Sequence, residues 1–291
     1  MKGALFLEYI KNPFNYTGAK YKLFSQIFPL FPDNIERFVD LFGGSAEVSM
    51  NVDAKVRVYN DKCVHIVNIL QQMDDTFIDE VKAVIKQWNL SKTCKEEFYA
   101  LRQYWNDNRK VLTNREHAVI MYTILAHAFN NQLAFNSEGA YNMASGTNRA
   151  SFNATMEKNL RKYIERKNEI DIQFNYSDFY KINLDDVRKT DFYYADPPYL
   201  ITVGAYERNY ATRWSEDYEY KLLNLLDALH NCGCKFALSN VLEHKGKRND
   251  ILCAWAEKYN VHHLSMTYKA CNYQTHVRDV KESDEVLITN Y

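Results

Sequence analysis

No two cysteines in this chain have the Cys-x-x-Cys spacing of a zinc knuckle or a redox motif. The six cysteines (63, 94, 232, 234, 253 and 271) are scattered, and Cys232-Gly-Cys234 is the closest pair. Reduced thiols are the expectation, and neither a metal site nor a disulfide framework is. An 18-residue apolar stretch is also missing, so no membrane span is expected. The opening run, Met1-Lys-Gly-Ala-Leu-Phe-Leu-Glu8, carries a carboxylate among its apolar residues and does not fit a secretory leader. A soluble, cytoplasmic protein is expected, with no membrane partner and no metal. Neither sign of charge is in excess: 36 Lys and Arg stand against 37 Asp and Glu, so a nucleic-acid partner would need a local basic face. Internal repeats and low-complexity tracts are absent. So are the Gly-x-Gly-x-x-Gly fingerprint and the Gly-Lys-Ser/Thr phosphate loop, which disfavours a pyrophosphate-bearing cofactor.

What is present centres on Asp191-Phe-Tyr-Tyr-Ala-Asp-Pro-Pro-Tyr-Leu200. Phe192, Tyr193 and Tyr194 are strand formers, and Pro197 and Pro198 end the ladder because proline has no N–H to donate. A buried strand is therefore expected to finish at Asp196, presenting a carboxylate, rigid carbonyls and the Tyr199 ring at its C-terminal edge. In open α/β sheets ligands sit at that edge. The set suits an exocyclic amine on a nucleobase, whose lone pair is delocalised into the ring. Asp196 and the Pro197 carbonyl can each accept one N–H, drawing the nitrogen toward tetrahedral geometry. Tyr199 offers a face for a flipped-out base, and stacking of that kind contributes roughly 1–3 kcal/mol.

Upstream, Arg37-Phe-Val-Asp-Leu-Phe-Gly-Gly-Ser-Ala46 reads as a strand, a glycine turn and a helix start. Val56–Asp61 follows as a second strand, and an acidic residue there typically takes ribose hydroxyls, which makes Asp61 a candidate. Tyr16-Thr-Gly-Ala-Lys20 is a weaker anion-binding turn before the amphipathic run Tyr21–Phe31. From about 70 to 170 the texture becomes helical, with helices expected at 76–88, 94–109 and 115–129. A hairpin turning at Ser137-Glu138-Gly139 is expected within Asn130–Asn142, where Asn131, Gln132 and Asn136 could bond base edges. Lys158, Arg161, Lys162 and Arg166 follow on a helix and are candidates for phosphate contact. Beyond 170 an α/β pattern resumes. It has strands at 171–177, through 192–194 up to Asp196, and at 235–239, helices at 216–230 and 247–259, and closing strands at 261–268 and 285–291. The stretch between the glycine turn and Asp196 exceeds one crossover, so 70–170 reads as an inserted subdomain between 1–69 and 171–291.

In this order, Tyr-Thr-Gly-Ala-Lys, Phe-Val-Asp-Leu-Phe-Gly-Gly, Asn60-Asp61, Asp-Pro-Pro-Tyr, Trp214-Ser-Glu-Asp217 and Ser239-Asn-Val-Leu-Glu-His-Lys-Gly246 resemble the Dam-type (D12 class) DNA adenine methyltransferases. The likeness is nearest to the Dam enzymes of T-even bacteriophages and covers nearly the whole chain. It implies a Rossmann-like class I methyltransferase fold. That fold is a mostly parallel seven-stranded sheet with a C-terminal antiparallel hairpin and an inserted, mainly helical target-recognition subdomain. It implies S-adenosyl-L-methionine as cofactor and N6 of adenine in double-stranded DNA as acceptor. By position, Tyr16 and Lys20 lie at the cofactor's amino-acid end and the floor of its site, to which Gly18, Asp40 and Asp196 also belong, and Phe42, Gly43, Gly44 and Ser45 wrap its methionine part. Asp61 takes the ribose, Asp178 and Phe179 border the adenine, and Asp196, Pro197, Pro198 and Tyr199 act on the target.

One departure bears on specificity. The phage enzymes place an arginine where this chain has Ala134, and their Pro-Phe-Gly turn is replaced by Ala144-Ser-Gly146, with Arg149 nearby. A target altered or relaxed relative to GATC is therefore expected. Alternatives are an N4-cytosine methyltransferase, whose family usually carries Ser before Pro-Pro, and a catalytically silent DNA-binding relative. A C5-cytosine enzyme is excluded by the absence of Pro-Cys. A modification-only enzyme and one with a cognate restriction enzyme look alike at this level.

Overall fold

A computed structural model describes residues 9–14, 18–205, 214–265 and 283–291. They fall into two compact units. One comprises 1–21, 44–52 and 63–172, and the other 22–43, 53–62 and 173–291.

The second unit is built on a sheet. Its strands are β1 (Ile35–Asp40), β2 (Ala54–Asp61), β3 (Asp171–Tyr176), β4 (Asp191–Ala195), β5 (Lys235–His244), the two-residue β6 (Lys247–Arg248), β7 (Asn260–His263) and β8 (Ser283–Thr289). The order is β3-β2-β1-β4-β5-β8-β7, with β6 paired to β5 off this path. The pairs β1–β2, β1–β4 and β4–β5 are parallel, whereas β5–β8 and β7–β8 are antiparallel. This is the expected mostly parallel α/β sheet of seven strands closed by an antiparallel hairpin, with β6 as a small addition. Register brings the functional edge together: Asp40 pairs with Tyr59 and with Tyr194, and Ala195 pairs with Leu238. The C-terminal ends of β1, β2 and β4 thus lie side by side, and the strand order reverses at β1, where ligands bind in such folds.

The inner strands form where the sequence is apolar or aromatic. Every residue of β4 is buried, as are Val286, Leu287 and Ile288 of β8. Helix α8 (Glu216–Asn231) is capped by Ser215, whose hydroxyl accepts from the Tyr218 N–H, and buries Leu222, Leu223, Leu226 and Leu229 at helical spacing. These pack with Phe236, Leu252 and Trp255, the latter two from α9 (Asp250–Ala256).

In the first unit, α6 (Asn114–His127) is the central helix. Residues Ala118 to His127 are all buried, and a Thr113–Glu116 capping box starts the helix. Helices α3 (Val64–Gln72), α4 (Phe77–Gln87) and α5 (Glu96–Asn108) pack against it. The short α2 (Glu47–Asn51) and the long α7 (Ala154–Glu169) also belong to the unit, which is wider than the 70–170 segment because it takes in 1–21, 44–52, 63–69 and 171–172.

Several local expectations are corrected. The run Tyr21–Phe31 is not one amphipathic helix. It is a 3₁₀ turn, the one-turn helix α1 (Phe24–Ile27) and a second 3₁₀ turn holding Pro29, which cannot donate within a longer helix. The strand expected at 235–239 runs on to His244. There Lys245 and Gly246, both at positive φ, turn the chain into β6, so the following helix starts at Asp250 rather than 247. The hairpin within 130–142 turns at 137–139 as expected but is reduced to one isolated antiparallel bridge, Phe135 with Tyr141, and a second bridge, Ala128 with Ser145, lies just outside it. Asn130 and Asn131, at φ 53 and 52, interrupt any longer ladder. The strand expected at 261–268 ends at His263, and its last residues lie outside the described ones.

Candidate active site

Beyond β4, the chain leaves the sheet at Asp196 and makes a 3₁₀ turn over Leu200–Ala205, to which the Tyr199 carbonyl contributes by accepting from the Thr202 N–H. The Tyr199 hydroxyl donates to Asp196 Oδ1 at 3.0 Å and lies 3.4 Å from Oε1 of Glu285 on β8. Burial and the two carboxylates push the Tyr199 phenol well above its ordinary range, so it stays protonated and serves as donor. Below it, the Tyr194 and Ser239 hydroxyls are 2.8 Å apart, linking β4 to β5.

The ends of β1, β2 and β3 are tied by one side chain. Asn60 Nδ2 donates to the Leu41 and Ser177 carbonyls, both at 3.1 Å, while the Gly43 N–H donates to the Asn60 carbonyl at 2.8 Å. The Ser177 N–H donates to the carbonyl of Asp61. Asp40 is buried at the end of β1. Gly43 has no room for a side chain, because a Cβ there would stand 2.1 Å from Cε2 of the Tyr59 ring.

Next to this turn is an aromatic cage. Phe42 and Phe179 lie 5.0 Å apart between ring centres, Trp214 is 5.6 Å from Phe42 and 5.7 Å from Phe179, and Tyr218 is 5.6 Å from Trp214. Trp214 is held by its indole N–H donating to Glu219 at 2.5 Å, and Asn249 donates to the other oxygen of that carboxylate at 3.0 Å. Burial raises the pKa of Glu219, and the bonds from Trp214 and Asn249 oppose the shift. Asp178 receives the Tyr218 hydroxyl at 3.5 Å on one oxygen, and its other oxygen is buried without a hydrogen-bond partner among the described residues. A flat ring entering this cage would find stacking faces and, at Asp178, an acceptor for an exocyclic amine. The chemistry fits an adenine-bearing cofactor. Trp214 and Tyr218 were not among the residues expected here, although Trp214-Ser-Glu-Asp217 stood out as a motif. Glu219 and Glu285 carried no signal of their own.

The remaining cofactor-site candidates belong to the first unit. Tyr16 lies outside the described residues. Gly18 has φ +88 with nothing near its missing Cβ, and buried Lys20 donates to the Gly18 carbonyl at 3.2 Å. This segment is gripped by buried Glu47 at the start of α2. Its carboxylate accepts from the Asn12 N–H at 3.1 Å, from the Asn12 amide at 3.3 Å and from the Tyr21 N–H at 3.1 Å. Ser45 is buried just before α2, and Gly44 has φ 50.

The DNA-facing candidates divide. Asn131 donates to the Leu125 and Ala126 carbonyls and thereby caps α6, while Asn136 Oδ1 accepts from the Glu138 and Ala140 N–H groups. These two amides fold the loop. The loop is also moored to α5, where Asn106 donates to the Tyr141 carbonyl and accepts from its N–H, and Arg102 donates to the Met143 carbonyl at 2.7 Å. Gln132 and Ala134 are half-buried, the Ala134 carbonyl accepts from the Asn142 N–H, and Arg149 is exposed beside the Phe129 ring. On α7, Lys158 and Arg161 are exposed, Arg161 pairs with Glu157, and Arg166 donates to the Met50 carbonyl. Arg166 is therefore also a structural tie, and Lys162 is half-buried.

A family profile described as D12 class N6 adenine-specific DNA methyltransferase matches residues 16–270. The chain belongs to this family. Among its curated relatives, the type II methyltransferase M.FokI of Planomicrobium okeanokoites is 42% identical over 98% of this chain, and the modification methylase StsI of Streptococcus sanguinis is 39% identical over 98%. The modification methylase LlaI of Lactococcus lactis subsp. lactis is 31% identical over the same share. This chain covers 43%, 43% and 44% of those three proteins, so it spans less than half their length. The D12 family fits the sheet order, the glycine turn and the Asp-Pro-Pro-Tyr edge described above. Among the described residues there is no group of His, Cys, Asp or Glu that could hold a metal, and no helix is long and apolar enough to cross a membrane.

Proposed function

We propose that this chain transfers a methyl group from S-adenosyl-L-methionine to N6 of adenine in double-stranded DNA. The observation that carries the reading is Asp196. Its carboxylate stands at the C-terminal edge of the central strand β4, anchored by the Tyr199 hydroxyl, beside the strand ends that bear Asp40 and Asp61. When bound, the cofactor supplies an electrophilic methyl group on a sulfonium sulfur. Phe42, Gly43, Gly44 and Ser45 are its proposed methionine contacts, with Tyr16, Gly18, Lys20 and Asp40 toward the amino-acid end. Asp61 takes the ribose, and Asp178 and Phe179, with Trp214 and Tyr218, receive the adenine.

The target adenine is extruded from the duplex, because N6 is inaccessible inside the base stack. Asp196 and the Pro197 carbonyl accept the two amine N–H bonds, and Pro198 keeps that carbonyl fixed without a competing donor. This localises the nitrogen lone pair for direct in-line transfer, and the Asp196 carboxylate stabilises the positive charge that builds on nitrogen. The Tyr199 ring offers the stacking face. The 70–170 segment is proposed to read the target, with Gln132, Arg149, Lys158 and Arg161 as its outward contacts. Asn131 and Asn136 shape the loop that presents them. Ala134 cannot make an arginine's bidentate contact to guanine, so the site is proposed to differ from GATC or to be relaxed. Action in the cytoplasm, beside a cognate restriction enzyme, is in keeping with relatives named modification methylases.

Incubating the chain with radiolabelled S-adenosyl-L-methionine and DNA of diverse sequence tests the reading. Label should enter DNA with the wild type and not with Asp196→Ala, while calorimetry shows that the variant still binds cofactor. Equal incorporation by both would remove Asp196 from the chemistry.

A further inference from the structure

Glu285 is 5% exposed, on a strand whose next three residues, Val286, Leu287 and Ile288, are fully buried. A carboxylate in such a strand is costly to bury unless it is partnered, and the sheet does not need it, since backbone groups make the β5–β8 and β7–β8 ladders. Its side chain reaches the same phenol that bonds Asp196. The Tyr199 hydroxyl has one proton and two carboxylate acceptors, Asp196 Oδ1 at 3.0 Å and Glu285 Oε1 at 3.4 Å. The antiparallel register sets Glu285 opposite Val241, past the point where β4 ends at Ala195 opposite Leu238. The carboxylate therefore stands at the functional edge of the sheet. Burial is the main cause of the raised pKa of the Tyr194 phenol, and Asp196, Asp40 and Glu285 add to it.

We infer that Glu285 is a positioning residue for the methyl transfer, acting on Asp196 through the Tyr199 hydroxyl. The inference rests on the proposed amine-methylating role of Asp196. Drawn toward Glu285 as well as Asp196, the phenol holds the turn after β4 at two points. That fixes the Asp196 oxygens and the Tyr199 ring relative to the sheet. The shared proton also leaves more of the Asp196 charge for the target amine than an undivided hydrogen bond would. No proton is transferred among the three groups in this arrangement, because the phenol is held far above its ordinary pKa.

The test is a double-mutant cycle on methyl transfer to DNA with Glu285→Gln, Tyr199→Phe and the pair. Glutamine keeps the size of the side chain and an acceptor oxygen but loses the charge. Glu285→Gln alone should lower kcat about tenfold, with KM for cofactor and DNA changed by less than about twofold. In the Tyr199→Phe background the same substitution should change kcat by less than about twofold, because the group that transmits the effect is gone. Equal losses in both backgrounds would show that Glu285 acts independently of the phenol, and an unchanged kcat in Glu285→Gln alone would show that it does not act at all. Either result overturns the inference while leaving Asp196 in its role. A wild type that methylates no DNA would overturn that role and this inference with it.

Discussion

Gly43→Ala isolates how tightly the turn after β1 is built against its neighbour. The added methyl carbon would stand 2.1 Å from Tyr59 Cε2, 2.2 Å from Cδ2 and 2.9 Å from Cζ. Ordinary contact begins near 3.4 Å, so ring and turn must separate by about 1.3 Å. Tyr59 has nowhere to go, being fully buried with its ring 5.1 Å from that of Phe174. The strain therefore falls on the turn itself, which the Gly43 N–H pins to the Asn60 carbonyl. Overpacking of this kind costs about 1–3 kcal/mol. For a chain of this size that is a fall of roughly 2–10 °C in Tm. Thermal and denaturant unfolding give the stability, and calorimetric titration with S-adenosyl-L-methionine gives the effect on the cofactor, which should bind more weakly. Tyr59→Leu removes the obstructing ring atoms, so the two substitutions together should cost less than the sum of each alone. If Gly43→Ala stays within about 0.5 kcal/mol of wild type, or its cost is unchanged in the Tyr59→Leu background, the clash is not what requires glycine here.

Asp61→Ala should raise KM for the cofactor and leave kcat nearly unchanged, because a ribose contact is the same in ground and transition states; steady-state kinetics and calorimetry check this. His65 and His117 face each other with Nδ1 and Nε2 3.1 Å apart, beside Trp105 and Phe135, and burial lowers each from 6.5 to about 4. Between those pH values the unfolded chain binds more protons than the folded one, so the neutral pair's stability is fully present above 6.5 and is lost as pH falls toward about 4. The loss is on the order of 3 kcal/mol per ring at most, and His65→Phe should flatten the dependence of unfolding free energy on pH in that window. Wild-type DNA methylation, mapped by single-molecule sequencing, should not be confined to GATC, and Ala134→Arg should narrow the set toward a guanine-containing site by up to about a hundredfold at one base pair. Wild-type modification found only at GATC would mean that another side chain supplies the guanine contact.

The carboxylates at strand ends were readable from the chain because their signals are local. Phe192–Tyr194 followed by two prolines, or Val39-Asp-Leu-Phe-Gly-Gly44, marks the end of a strand whatever surrounds it. Helices α4, α5 and α6 of the first unit were readable for the same reason, through their apolar spacing, whereas α3 was not expected. What escaped depends on pairing across the chain. Glu285 meets Tyr199 from 86 positions away, and only the antiparallel register of β8 brings it there. Glu219 sits on the expected helix α8, but nothing in the helix pattern indicates that it supports Trp214. The amides of the 130–142 loop were misleading for a different reason. Asparagine side chains compete well for nearby backbone groups, and Asn131 and Asn136 do so here instead of reaching outward. Likewise Arg166 looked like one cation in a basic row, yet it is bonded to the Met50 carbonyl.

The central claim is that Asp196 directs a methyl group onto the amine of adenine. Its most direct test is the identity of the modified base. DNA treated with the chain and S-adenosyl-L-methionine is digested to nucleosides and resolved by mass spectrometry beside DNA treated with Asp196→Ala. N6-methyladenine should accumulate with the wild type and be reduced at least about a hundredfold in the variant, as expected for loss of a catalytic contact of on the order of 3–4 kcal/mol. N4-methylcytosine as the product, no methylated base at all, or an Asp196→Ala rate within about threefold of wild type would contradict it.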